Sequence, residues 1–297
     1  MKVKGYLLAC LTAVTYGAIP LFAIPLKRID FSFDIVLFYR FLFSVIMMGL
    51  YLFYKKVDFK ITVKESGILA LLGLMYSFSA EFLFQGYDYM SAGVASTILF
   101  LYPVIVAIIM GVGFKEKISW VVWIAIALAF LGVAALNGGG EGNKISLLGL
   151  FIVFLSALSY ALYMIIVNKS KVRYMQGIKV SFYSMLFCTL FFLSKSLFKG
   201  DFRLIPSFEI GVNLVLFAFV TIVISLIALI AAIQIIGPTT TSIMGSLEPL
   251  VAVAISVIMF NEPFTRNLAI GIILIIAAVL LTVLSGNLKK QNKKPVS

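Results

Sequence analysis

The sequence predicts an all-α polytopic membrane protein, with ten transmembrane helices arranged as two inverted five-helix repeats. Three observations lead there. Of its 297 residues, 62% are hydrophobic, with a mean hydropathy of +1.13, against roughly 45 to 50% apolar content in soluble domains. Apolar runs of about 20 residues, the length that crosses a bilayer, recur from one end of the chain to the other and leave no room for a soluble domain. The two halves also resemble each other.

Breaking the chain at charges and at Gly, Pro and Asn clusters gives the spans in order. The first five lie at about 6–26, 34–54, 67–87, 92–113 and 118–137. The second five lie at about 146–168, 177–198, 210–233, 239–260 and 267–286. Gly138 to Asn143, reading GGGEGN, is the clearest break. It divides the chain into a first repeat at 1–137, a connector at 138–145, a second repeat at 146–286 and a basic tail at 287–297. Lys2 and Lys4 precede an apolar run that continues to about Pro25 without a small-residue cleavage site, so this run reads as a retained first span.

The repeat is visible residue by residue. Leu11 to Gly17, LTAVTYG, matches Leu155 to Ala161, LSALSYA, at an offset of 144, and Phe38-Tyr39 matches Phe182-Tyr183 at the same offset. Farther on the offset is 146, pairing Tyr102-Pro103 with Glu248-Pro249 and Phe114-Lys115-Glu116 with Phe260-Asn261-Glu262. Five spans is an odd number, so consecutive repeats enter the membrane from opposite sides. Inverted repeats of this kind place a binding site at the midplane between them.

Lys and Arg set the orientation. The side holding the N-terminus carries sixteen: Lys2, Lys4, Lys55, Lys56, Lys60, Lys64, Lys115, Lys117, Lys169, Lys171, Arg173, Lys179, Lys289, Lys290, Lys293 and Lys294. Seven fall on the other: Lys27, Arg28, Lys144, Lys195, Lys199, Arg203 and Arg266. The excess predicts cytoplasmic N- and C-termini. A net charge of +12 sits in short loops and the tail, beside anionic headgroups, and does not argue for nucleic acid.

Arg40, Glu81 and Glu248 are the charges well inside the predicted spans. A carboxylate at the centre of a membrane helix costs about 2.5 to 3.5 kcal/mol and is by default a functional candidate. Glu248 is followed by Pro249, which removes a backbone donor and crowds the carbonyl near Gly245; a kink lining a cavity is expected there, and a simple bend is the plainer alternative. Tyr102 with Pro103 occupies the mirror position. Arg40 and Glu81 each lie about six residues in from the predicted outer surface, roughly 9 Å at about 1.5 Å per residue. Equal depth and opposite charge predict a buried pair, either purely structural or engaged with substrate or protons. Tyr16 and Tyr160 are repeat-related aromatics, candidates for the same site or for packing. The Thr239 to Ser246 and Ser91 to Thr97 rows supply small and hydroxyl residues suited to close helix contact.

Catalysis has little to work with. The sequence has no histidine, hence no histidine metal motif or Ser-His machinery, and it has no glycine phosphate loop; no enzyme activity, metal or cofactor is expected. Cys10 and Cys188 fall inside spans and read as small apolar residues rather than a disulfide.

These features together resemble the EamA branch of the drug/metabolite transporter superfamily, over nearly the whole chain. The resemblance rests on the two five-span repeats, Tyr16-Gly17, Arg40, Ser91-Ala92 opening span four, Glu248-Pro249, and the paired segments ending in Glu116 and Glu262. It implies a secondary transporter of the bacterial inner membrane, exporting amino acids or related small metabolites by alternating access about a central cavity. Tyr102 stands where the second repeat has its acid, and Glu81 belongs to no signature of the family. An importer of the same fold, or a membrane scaffold or receptor, are the alternatives. For a carrier, Glu248 is expected to couple transport to protons, because a carboxyl group whose water access and cationic neighbours change between two conformations takes up and releases a proton.

Overall fold

In lipid every backbone donor and acceptor must find its partner within the chain, so these apolar runs become helices. The computed structural model describes residues 2–28, 31–115, 120–137, 146–245 and 247–291, and among them every regular element is helical. In order these are α1 (Lys2–Gly17), α2 (Ile19–Arg28), α3 (Phe33–Tyr54), α4 (Val63–Gly86), α5 (Ala92–Leu99), α6 (Tyr102–Gly113), α7 (Trp120–Asn137) and α8 (Leu147–Lys169). There follow α9 (Gly177–Lys199), α10 (Phe208–Ala218), α11 (Ser225–Gly245), α12 (Leu247–Phe260) and α13 (Arg266–Gln291). Among the described residues, seven segments are long and apolar enough to cross a membrane, and three shorter apolar helices, Trp120–Leu136, Leu247–Phe260 and Arg266–Leu281, accompany them. The expected connector at 138–145, Glu116 and the end of the basic tail lie outside the described residues.

Helix ends follow local chemistry. At the start of α4, the Glu65 N–H donates to Thr62 Oγ1 at 3.3 Å while the Thr62 N–H donates to the Glu65 carboxylate at 2.7 Å, a capping box. Ser91 caps α5 by accepting from the Val94 N–H at 3.3 Å.

Several expected spans are not continuous rods. The first is broken at Ala18 into α1 and α2, and the fourth at Phe100 and Leu101 into α5 and α6. A π-helical turn, Phe219–Ile224, separates α10 from α11. Glu248 lies on α12, close to position 246, which is outside the described residues. Proline is tolerated in a first turn, where its missing N–H has no partner to lose. Tyr102-Pro103 opens α6 in this way.

α11 also reverses direction. Thr12 donates to the Ser225 carbonyl at 3.2 Å, and Gly5 faces Ile235 and Ile236, so α1 and the first part of α11 run antiparallel. A straight α11 would carry Gly245 far from Gly17. Instead a Cβ on Gly245 would lie 3.8 Å from Glu248 Oε1, and one on Gly17 would lie 2.6 Å from the Glu248 carbonyl oxygen. The chain therefore turns back between Ile236 and Gly245, a stretch whose sequence contains Gly237-Pro238. The end of α11 and α12 together occupy the expected span 239–260, as α5 and α6 occupy 92–113.

Packing relates the halves to each other. α1 packs on α11 and α4 on α8, two contacts that exchange when each helix is replaced by its counterpart in the other half. α3 with α9, α5 with α12, and α7 with α13 each join a helix to its own counterpart. Hydrogen bonds follow the same rule: Thr12 donates to the Ser225 carbonyl at 3.2 Å, and Ser156 donates to the Ser79 carbonyl at 2.6 Å. Thr12 and Ser156 are offset by 144, and Ser79 and Ser225 by 146. Where α7 crosses α13 the backbones nearly touch. A Cβ on Gly132 would lie 3.1 Å from the Gly271 carbonyl oxygen, and one on Gly271 would lie 3.0 Å from that of Gly132. Only glycine admits so close an approach.

Candidate functional site

Residues of α1, α5, α6, α8 and α12 meet at one small cavity. Tyr16 from α1, Ser96 and Leu99 from α5, Phe100 from the break, Tyr102 from α6, Tyr160 from α8, and Glu248 and Pro249 from α12 line it. Four of the candidates read from the sequence, Tyr16, Tyr102, Tyr160 and Glu248, are thus brought together, although they lie far apart in the chain. Gly17 explains part of this convergence. Without a side chain it lets α1 press against the first turn of α12, which puts the neighbouring Tyr16 beside Glu248.

The cavity wall is a cluster of phenols. The hydroxyls of Tyr16 and Tyr76 are 3.2 Å apart and hydrogen-bonded. Tyr102 meets Tyr160 edge to face with ring centroids 4.7 Å apart. Tyr160 stacks on Tyr163 at 5.9 Å, and Tyr163 meets Tyr76 at 5.5 Å. Tyr16, Tyr76, Tyr102 and Tyr160 all lie within electrostatic reach of Glu248. No ion-pair partner for Glu248 occurs among the described residues. With a volume of about 30 Å³, the cavity holds little more than a water, whereas ligand pockets run to roughly 300 to 1,000 Å³. Binding a metabolite requires this site to open.

Arg40 and Glu81 do not form the expected pair. Glu81 meets Lys195 Nζ and accepts from Gln85 Nε2 at 3.0 Å. Lys195 also contacts Asp34 Oδ1 at 2.7 Å, and Lys199 takes the other Asp34 oxygen at 2.6 Å. The physical reason is that depth fixes height along a helix but not the face. α9 packs broadly on both α3 and α4, which touch each other little, so its Lys195 reaches the acids of both. Arg40 points elsewhere, to the π-helical turn. Its Nη2 donates to Thr221 Oγ1 at 3.0 Å, and its guanidinium carbon lies 4.4 Å from the Phe217 ring centroid. Arg40 is 2% exposed, and its Nε has no hydrogen-bond partner.

Sequence reasoning missed Tyr76, Tyr163 and Lys195. The i, i+4 spacing of Lys195 and Lys199 was a usable signal, because it sets two cations on one helix face. Tyr76 and Tyr163 gave none, since a tyrosine in a span reads equally as packing. Among the described residues, no group of three His, Cys, Asp or Glu side chains is placed to hold a metal.

Comparison with known proteins agrees with this architecture. Residues 3–138 and 147–284 each match the EamA-like transporter family, one copy in each half. The chain belongs to that family. Among its EamA-type relatives, the uncharacterized transporter YvbV of Bacillus subtilis is 25% identical over 227 residues, covering 75% of this chain and 73% of YvbV. The S-adenosylmethionine uptake transporter of Rickettsia conorii is 25% identical over 265 residues, covering 89% of this chain and 86% of its own. One solved crystal structure superposes with a TM-score of 0.66 at 12% identity, over 99% of this chain and 100% of the other, a likeness of fold. The EamA assignment makes this chain a multi-span membrane transporter.

Proposed function

We propose that the protein is a secondary active transporter that exports small metabolites, with amino acids and related compounds the first to test. In this reading ten crossings form two inverted five-helix repeats, 1–137 and 146–286, which rock about the Glu248 cavity in a bacterial inner membrane with both termini in the cytoplasm. The carrying observation is the cavity itself. Tyr102-Pro103 and Glu248-Pro249, related by the repeat, face each other there, and Glu248 has no ion-pair partner among the described residues where its counterpart is a phenol. The mirrored packing and the paired Thr12 and Ser156 hydrogen bonds support the inverted arrangement. The closed cavity supports alternating access, since substrate enters only after a rearrangement.

Glu248 carries the coupling proton in this scheme, facing Tyr16, Tyr76, Tyr102 and Tyr160. Glu248→Gln keeps the shape and fixes the neutral form. In proteoliposomes, transport by the variant is expected to lose its response to an imposed pH gradient while exchange of substrate across the membrane persists; a wild-type response would falsify the proton role. Uptake is the second reading, favoured by the Rickettsia relative named for S-adenosylmethionine uptake. Metabolite levels inside and outside cells, with the protein produced or absent, decide the direction. For topology, an impermeant thiol reagent applied to intact cells is expected to label a single cysteine at position 140 and spare one at 173.

A further inference from the structure

We propose that Arg40 receives an anionic group, a carboxylate, of the transported compound, reached when the Tyr16 and Tyr76 hydroxyls part. This rests on the transporter reading and names the chemistry of its substrate. A guanidinium carries five N–H donors in a planar fork, yet among the described residues Arg40 has one hydroxyl acceptor, an aromatic face and an orphaned Nε. A buried cation without an anion is unfavourable unless something supplies the charge. The acids on the neighbouring helices are already engaged: Asp34 with Lys195 and Lys199, Glu81 with Lys195 and Gln85, and Asp88 with Lys27 at 2.6 Å.

Arg40 is also next to the cavity. Tyr16 lines that cavity and is bonded to Tyr76, and both phenols lie within electrostatic reach of the guanidinium. One hydroxyl pair therefore separates the unpaired cation from the place where substrate is expected. The fork of a guanidinium matches the two oxygens of a carboxylate. A lipid headgroup is a poor alternative occupant, since Arg40 is 2% exposed and reads as roughly 9 Å below the surface.

The test is an untargeted comparison of metabolites inside and outside cells producing wild type, Arg40→Lys, Arg40→Gln, Thr221→Val or no protein, with each purified variant checked by thermal melting. Compounds redistributed by wild type are expected to carry a carboxylate. Their transport is expected to be lost in Arg40→Gln and weakened in Arg40→Lys, with KM raised in preference to a fall in maximal rate. For a compound so identified, replacing its carboxylate by the primary amide is expected to weaken uptake into wild-type proteoliposomes about 10- to 100-fold, the scale of a charged hydrogen bond. Should Arg40→Gln fail to fold, Thr221→Val keeps the charge while altering how it is held, and is expected to shift KM for the carboxylate and not for the amide. The proposal is overturned if the redistributed compounds are neutral or purely cationic, if Arg40→Gln moves them as wild type does, or if the amide and Thr221→Val change nothing. No redistribution by wild type overturns the transporter reading and this inference with it, whereas redistribution without a carboxylate overturns this inference alone.

Discussion

Asp34 and Arg40 lie on the same helix, six residues apart, and their surroundings are opposites. Asp34 is held by two lysines from α9, one of which also holds Glu81, so charge at that end of α3 is matched ion for ion. Arg40, and Glu248 across the phenol cluster, have no oppositely charged side chain among the described residues. Asp34 and Arg40 are themselves both buried, so their own burial does not separate them. What separates them is the partner: where the fold supplies one, a charge serves the fold, and where it does not, the charge remains available to something that arrives from outside.

The sharpest way to break this contrast is to measure transport and melting on both regions. Glu248→Gln is expected to abolish transport driven by a pH gradient, a loss of tenfold or more, with the melting temperature of the purified protein unchanged. Lys195→Met should do the reverse at the paired end. It strands Glu81 and leaves Asp34 with Lys199, and is expected to cost about 2 to 3 kcal/mol, below the roughly 3 to 5 of a fully buried pair because these groups retain some solvent access. Adding Glu81→Leu to Lys195→Met should restore most of that loss in denaturation midpoints, whereas additive damage would mean that the two do not act as a pair.

Smaller effects sharpen the picture. Thr12→Val and Ser156→Ala each remove one member of the repeat-related pair of hydrogen bonds, and each is expected to cost about 0.6 kcal/mol, the average for such bonds within membranes. Unequal losses of more than about twofold would mean that the two halves carry load differently. Lys27→Met breaks an ion pair in which Asp88 is about half exposed, and the expected cost is under about 1 kcal/mol, shrinking further in high salt.

The sequence made the fold legible because apolar length and repeat offset are properties of the chain itself. The predicted spans 34–54 and 177–198 nearly coincide with α3 and α9. Tyr16, Tyr102, Tyr160 and Glu248 could be named from their repeat-related positions in the sequence, and the structure brings the four to one cavity. The Arg40 and Glu81 pairing was misread because hydropathy gives depth and says nothing of which way a helix is turned. The π-helical turn that holds Thr221 against Arg40 leaves no composition signal, as FVTIVI reads like any other membrane segment.

The glycine crossing of α7 and α13 bears on how such a molecule moves. With each glycine's own Cβ position only 3.0 to 3.1 Å from the facing carbonyl oxygen, the two helices cannot come closer, and sliding one along the other drives Ile275 or Leu136 into the bare backbone opposite. Rotation about the point of contact meets no such obstacle. For a molecule that rocks as proposed, this seam is expected to act as an axle: displacement would be smallest at Gly132 and Gly271 and grow with distance from them, so that a few degrees of turn would become ångströms of opening at helices farther out.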